Sequence, residues 1–260
     1  MERLTDSIRN SGVLKIRDRL STVSGGRVLD VGTQHGDLIR TLMKTMKDYD
    51  SFVGIDIAED DLEKARKSVK DESVSFELMN GEELTFDDES FDTVCLSYSI
   101  HHLENVNAVL VEMLRVLKAG GHLIIQEMFC DGDQSDAQHT ETLTHHLDAR
   151  LDRMEGIPHY ETYSRQQLND FVRELPLNKV LVFESSWGLK CLYCDNQFDC
   201  EDPKSEENMK IGRNEIENHI KRSEHVSGAE EIHNEAKQLL ERLESTGYQS
   251  ASILFFICEK

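Results

Sequence analysis

The sequence predicts an α/β fold on a parallel sheet, and three observations predict it. Five short apolar runs (27–31, 51–57, 74–78, 91–97 and 122–127) have the length and composition of strands. Stretches with apolar residues at helical spacing separate them, and such alternation builds parallel sheets with right-handed crossovers. The runs carry polar residues at or near their carboxyl ends, where open α/β sheets bind ligands: Asp30, Asp56, Ser97 and Glu127.

Each element has its own signal. Residues 1–24 read as an amphipathic helical lead-in (Leu4, Ile8, Val13, Leu14, Ile16, Leu20) ending near Gly25 and Gly26. Arg27 to Val31 is a buried strand bounded by glycine, Gly32 to Gly36 a tight loop, and Leu38, Ile39, Leu42, Met43 and Met46 a helix face. Ser51 to Ile57 is the second strand, Glu59 to Lys70 the second helix, and Val74 to Leu78 a third strand. A polar loop leads to the fourth strand, Phe91 to Ser97. A helix over Val106 to Lys118 follows, with Gly120-Gly121 as its expected C-cap, and then a fifth strand over His122 to Glu127. After this the rhythm changes. Residues 131–163 are polar, His-rich and partly helical, and Ser164 to Leu175 reads as a capped helix. Lys179 to Ser186 and Ser252 to Cys258 complete seven strands. Between them, helical patterns at 206–222 and 229–246 form an insertion.

Composition bounds the function. The 260 residues fit one medium domain with an insertion, and the balance of 38% hydrophobic to 30% charged residues is ordinary for a soluble chain. No apolar run approaches the ~20 residues of a membrane span. The polar first residues lack the apolar core of a secretory signal, so a cytoplasmic location is expected, without membrane association. Acids outnumber bases by 50 to 29, a formal charge of -21, and there is no Lys/Arg run. A broad nucleic-acid surface is therefore not expected, and small-molecule or protein substrates are favoured.

The stretch Val28-Leu29-Asp30-Val31-Gly32-Thr33-Gln34-His35-Gly36 resembles the D-x-G-x-G-x-G loop of class I methyltransferases, with Gln34 at the usual middle glycine. Glycines in such a loop let the backbone approach a ligand, while the following helix offers free N–H groups to an anion. Four further stretches resemble that family in order. Gly54-Ile55-Asp56-Ile57 places Asp56 in the position of the acid that holds the ribose in that family, and Asn80-Gly81-Glu82-Glu83-Leu84 with Phe86 to Asp92 resembles the adenine-side segment. Ser97-Tyr98-Ser99-Ile100-His101-His102-Leu103 resembles the loop after the fourth strand, and Arg115-Val116-Leu117-Lys118-Ala119-Gly120-Gly121 the family's helix end. The resemblance implies a Rossmann-like seven-stranded methyltransferase sheet with helices on both faces and a C-terminal helical insertion. It implies S-adenosylmethionine as cofactor, held by Asp30, Gly32, Gln34, Gly36, Asp56, Ile57, Gly81, Glu82, Ser97 and His102. A dinucleotide fingerprint would instead need glycines at 32, 34 and 37, where the chain has Gly32, Gln34 and Asp37.

The implied division is a lead-in (1–24), a core (25–186 and 251–260, with 131–163 over the active site) and an insertion (187–250) forming a lid or the face of a homodimer. The expected activity is methyl transfer to a small-molecule acceptor. Two alternatives stay open: a metal-assisted or protein-modifying transferase, and a non-catalytic S-adenosylmethionine-binding protein. His101, His145 and His159 are candidates for a base or an acceptor contact. His145, His146, Asp152 and His159 are candidates for a divalent metal, since His145, Asp148 and Asp152 share a helix face and His with carboxylate suits either role. Cys95, Cys130 and Cys258 read as small buried hydrophobes. Cys191, Cys194 and Cys200, with His219 or His225, do not reproduce paired zinc-ligand spacing and read as reduced thiols.

Overall fold

The computed structural model describes residues 10–193 and 201–260. Seven strands form one sheet: β1 (Arg27–Val31), β2 (Ser51–Asp56), β3 (Val74–Leu78), β4 (Phe91–Ser97), β5 (Leu117–Met128), β6 (Lys179–Ser185) and β7 (Ile253–Glu259). The helices are α1 (Val13–Leu20), α2 (Asp37–Thr45), α3 (Glu59–Ser68), α4 (Val106–Val116), α5 (Asp136–Met154), α6 (Arg165–Arg173), α7 (Glu206–Ser223) and α8 (Glu230–Thr246). The strand order is β3-β2-β1-β4-β5-β7-β6, with β7 antiparallel to both of its neighbours and the other pairs parallel. The expected Rossmann-like seven-stranded sheet is the one found.

Period-2 alternation explains why the sheet is covered on both faces. Leu29, Val53, Val94, Leu123 and Phe256 pack against α4 and α6 through Val109, Met113, Leu168 and Val172. Val28, Phe52, Cys95, Ile124 and Phe255 point the other way, toward Ile16 and Leu20 of α1 and Ile39 and Leu42 of α2. A third cluster lies off the sheet: Leu147 and Leu151 of α5 meet Ile216 of α7 and Ile232, Ala236, Leu239 and Leu243 of α8. These three helices form a cap with its own core. A capping box starts α5, where Ser135 Oγ accepts from the Gln138 N–H (3.2 Å) and Gln138 Oε1 accepts from the Ser135 N–H (2.9 Å).

Two expectations need correction. The helix expected to run to Lys118 ends at Val116, and the glycine pair is not its cap. Leu117 is already extended and pairs with Phe91 of β4. The backbone of Gly120 and Gly121 is instead engaged by the end of β7: the Gly120 N–H donates to Lys260 O (2.8 Å) and the Lys260 N–H to Gly121 O (3.0 Å). Strand pairing takes the groups a helix cap would have used. The lead-in helix also ends earlier than expected: α1 stops at Leu20 rather than near Gly25, and Leu4 and Ile8 lie outside the described residues.

Candidate functional site

Strand order changes direction between β1 and β4, so the loops at their carboxyl ends diverge and leave a crevice. The cavity there has a volume of about 520 Å³. Its floor is the loop after β1. Gly32 takes φ +65°, and a Cβ at that position would fall 2.6 Å from Ser99 Oγ, so only glycine fits. Gln34 is also left-handed, at φ +45°. Its N–H donates to Asp56 Oδ2 (2.9 Å), while the Ala58 N–H donates to Asp56 Oδ1 (3.0 Å). Asp56 thus ties the first loop to the end of β2 and holds Gln34 in a conformation few side chains adopt. Tyr98, at φ +49°, is a second such residue on the cavity wall, fixed by its N–H donating to Gln126 O (2.9 Å). Backbone strain of this kind persists where the surroundings over-determine it.

Asp30 is buried beneath the same loop. Its Oδ2 accepts from Thr33 Oγ1 (2.7 Å), whereas its Oδ1 is buried without a hydrogen-bond partner. Burial pushes its carboxyl up to about 7; the Thr33 hydroxyl opposes this and the nearby Asp56 charge adds to it.

The wall opposite the loop is histidine. Three separate elements bring the rings together: the 3₁₀ turn Ile100–His102, helix α5, and the segment before α6 that carries His159. His101 Nδ1 lies 3.0 Å from Oε1 of the buried Glu127, whose other oxygen accepts from the Ile100 N–H (2.9 Å). His159 Nδ1 lies 2.7 Å from Asp152 Oδ2, and its Nε2 3.1 Å from His145 Nε2. His102 stacks on His159 with ring centroids 4.1 Å apart. Burial, then the neighbouring rings, lowers the pKa of His102 to about 3 and of His145 to about 2, and burial lowers His159 as well. His102, His145 and His159 therefore present lone pairs rather than charge.

The expected site residues divide into two groups. Asp30, Gly32, Gln34, Ser97, His101, His102 and His145 line the cavity. Gly36 starts α2 at φ +74°, Asp56 braces the loop through its carboxylate, and Gly81 packs against Val31. Ile57 is exposed, and the Glu82 N–H is bonded to Asn80 Oδ1 (3.0 Å). His159 stands behind His145, and His146 turns away to Thr162 Oγ1 (2.8 Å). Asp148 and Asp152 both bind Arg222 of α7 at 2.5 Å, and His219 Nε2 lies 3.1 Å from Asp148. Of the cysteines, Cys95 and Cys258 are buried, Cys130 is half-buried, Cys191 touches the cavity, and Cys194 and Cys200 lie outside the described residues. Sequence reasoning placed a lid over the site but missed two acids that it contributes. Glu141 of α5 and Glu215 of α7 line the cavity, and Tyr248 Oη is hydrogen-bonded to Glu215. Nothing in the local pattern of either glutamate marks it, because only the fold of the cap brings them to the strand ends.

This strand order, with a loop-floored cavity at the switch point, defines the class I methyltransferase fold. Residues 29–125, under half of the chain, match the family model of the methyltransferase domain. The ubiquinone/menaquinone biosynthesis C-methyltransferase of Geobacter sp. (strain M21) is 39% identical over 106 residues, which are 39% of this chain and 45% of that protein. The match thus spans less than half of the curated relative. Among solved structures, the phosphoethanolamine N-methyltransferase 2 of Haemonchus contortus, in complex with phosphomonomethylethanolamine and S-adenosylhomocysteine, superposes with a TM-score of 0.56 at 19% identity. That superposition covers 95% of this chain and 52% of that one. The YcgJ protein of Bacillus subtilis superposes at 0.52 with 17% identity, covering 96% and 97%. No helix among the described residues is long and apolar enough to cross a membrane.

Proposed function

We propose that the protein transfers a methyl group from S-adenosylmethionine to a small acceptor that is neutral or cationic. The observation that carries the reading is the charge of the cavity. Asp30, Asp37, Glu141 and Glu215 line it, and no Lys or Arg among the described residues does. Such a lining favours a donor that carries a sulfonium and an ammonium, and disfavours an acceptor bearing phosphate or carboxylate.

The residues present fit this donor. Asp30 Oδ1 is a buried acceptor without a partner, and it suits the ammonium of the methionine end. Gly32 leaves the backbone open to close approach. Asp56 accepts one N–H on each oxygen and keeps further lone pairs for the ribose hydroxyls. Gly81 and Glu82 lie on the adenine side. When bound, the donor supplies an electrophilic methyl group on sulfur. The protein's part is to orient acceptor against donor and to exclude water, and a base is needed only where the acceptor must lose a proton.

Calorimetric titration with S-adenosylmethionine and with NAD tests the reading, followed by mass spectrometry of acceptor mixtures. Saturable binding of the first ligand alone, weakened at least tenfold in Asp56→Ala, is expected. Preferential NAD binding, or no binding of S-adenosylmethionine at millimolar concentration, would refute it.

A further inference from the structure

We propose that His101, His145 and His159 hold a divalent transition-metal ion at the cavity wall. The ion's open coordination position takes the reacting hydroxyl or thiol of the acceptor. The metal site stands on geometry alone, and only the acceptor's role rests on the methyl-transfer reading.

One ring nitrogen from each of the three histidines lies within 4.8 Å of those of the other two. A tetrahedral ion with nitrogen ligands at ~2.0–2.1 Å sets those nitrogens roughly 3.3 Å apart, and the His145 and His159 Nε2 atoms already stand at 3.1 Å. Both outer rings are fixed in the way metal-bound imidazoles are. The Nδ1 of His101 faces Glu127 and the Nδ1 of His159 faces Asp152, which directs each Nε2 away from its carboxylate. With Nδ1 of His159 donating to Asp152, its Nε2 lone pair points at His145 Nε2, an arrangement a cation between them satisfies.

Glu127 supplies an independent argument. Its side chain is 0% exposed, and its hydrogen bonds come from His101 and from the N–H groups of Ile100 and Met128. No Lys or Arg among the described residues pairs with it. A buried carboxylate is costly, and a dication reached through His101 offsets that cost.

The neighbouring donors are already engaged. Asp148 and Asp152 are bound to Arg222, and His146 is bound to Thr162. Three imidazole nitrogens with one position left open suit zinc and its neighbours rather than magnesium or calcium, which prefer oxygen. His101 and His145 line the cavity, so the open position faces the acceptor. Coordination there acidifies a hydroxyl or thiol, whose proton passes to solvent. Its electron pair then forms the bond to the methyl carbon as the donor's carbon–sulfur bond breaks, that pair staying on sulfur.

The test is titration of chelator-treated full-length protein with Zn²⁺ by calorimetry and with Co²⁺ by visible absorption, each with and without S-adenosylmethionine. One equivalent should bind with a nitrogen-ligand cobalt spectrum. Binding should be lost in His145→Ala and His159→Ala, be 10–100-fold weaker in Asp152→Asn, and be unchanged in His122→Gln, at the other end of the sheet. Three results would overturn the site: no saturable binding, binding that survives removal of both His145 and His159, or a thiolate-to-cobalt band placing the ion on cysteine. S-adenosylmethionine binding without metal binding refutes this proposal alone. Metal binding without S-adenosylmethionine binding refutes the methyl-transfer reading and leaves the site standing.

Discussion

The two walls of the cavity are built by different means. The loop wall is stabilised by the sheet: the Asp56 carboxylate at the end of β2 accepts from the N–H groups of Gln34 and Ala58, and the sheet core holds the strand ends. The cap wall rests on α5, α7 and α8, which share a small core of their own. Its polar face is joined by Arg222, which binds Asp148, Asp152 and Glu155 together. The first wall has its shape from the fold of the domain. The second depends on three helices staying docked, so it is the part of the site free to vary or to open.

The largest effect that would sharpen this contrast is a pH dependence of the loop wall. Asp30 has a folded pKa raised to about 7, chiefly by burial, so the folded state holds its proton more tightly than the unfolded state does. Its contribution is fully present below about 4 and is lost as pH rises to about 7, at about 1.4 kcal/mol per pH unit and roughly 4 kcal/mol in all. Urea melts of Asp30→Asn should lose that slope, leaving the variant more stable than the wild type at pH 8. An unchanged slope would place the titration elsewhere.

Gly32→Ala comes next. The new Cβ would meet Ser99 Oγ in a backbone conformation that already disfavours side chains, at a cost of about 1–3 kcal/mol. Denaturant melts should show the loss, and a cap-only effect in hydrogen exchange would contradict it. Arg222→Ala removes the cation from three carboxylates, and because the guanidinium is about a quarter exposed the loss should be about 1–2 kcal/mol. Hydrogen exchange should then quicken in α7 and the C-terminal turns of α5 while β4 and β5 keep their protection. Uniform quickening would mean that the two walls are one cooperative unit. The smallest effect belongs to Ser135→Ala, which deletes the cap of α5 for about 1 kcal/mol, read as a lower melting temperature.

The same division decides what was legible in the sequence. The loop wall is local in the chain: Asp30, Gly32 and Gln34 fall within five residues and Asp56 closes the next strand, so the strand pattern marked the two acids and the family resemblance marked the loop. The strand ends Ser97 and Glu127 were legible for the same reason. The histidine wall joins residues 101, 145 and 159 from three elements, and only α5 carried a periodic signal. That signal placed His145 with Asp148 and Asp152 on one face, yet the fold uses them differently. Asp152 orients His159 and binds Arg222, while Asp148 binds His219 and Arg222. A shared face does not say which neighbour will meet it. Glu127 was visible as a strand-end acid and His101 as a candidate base, but their pairing was not, because it is made across the paired strands β4 and β5.

The position of β7 has a consequence for how the molecule is assembled. This strand follows the α7–α8 insertion in the chain, yet it lies between β5 and β6 in the sheet. Strand β6 therefore has no neighbour until the chain has passed through both cap helices and returned. Until then β5 is an open edge carrying Ile124 and Ile125, the kind of surface on which other strands add. Completing the sheet requires the chain to have passed through the insertion and returned, whether or not the cap helices have docked, so closure of the sheet waits on the last strand rather than on the cap.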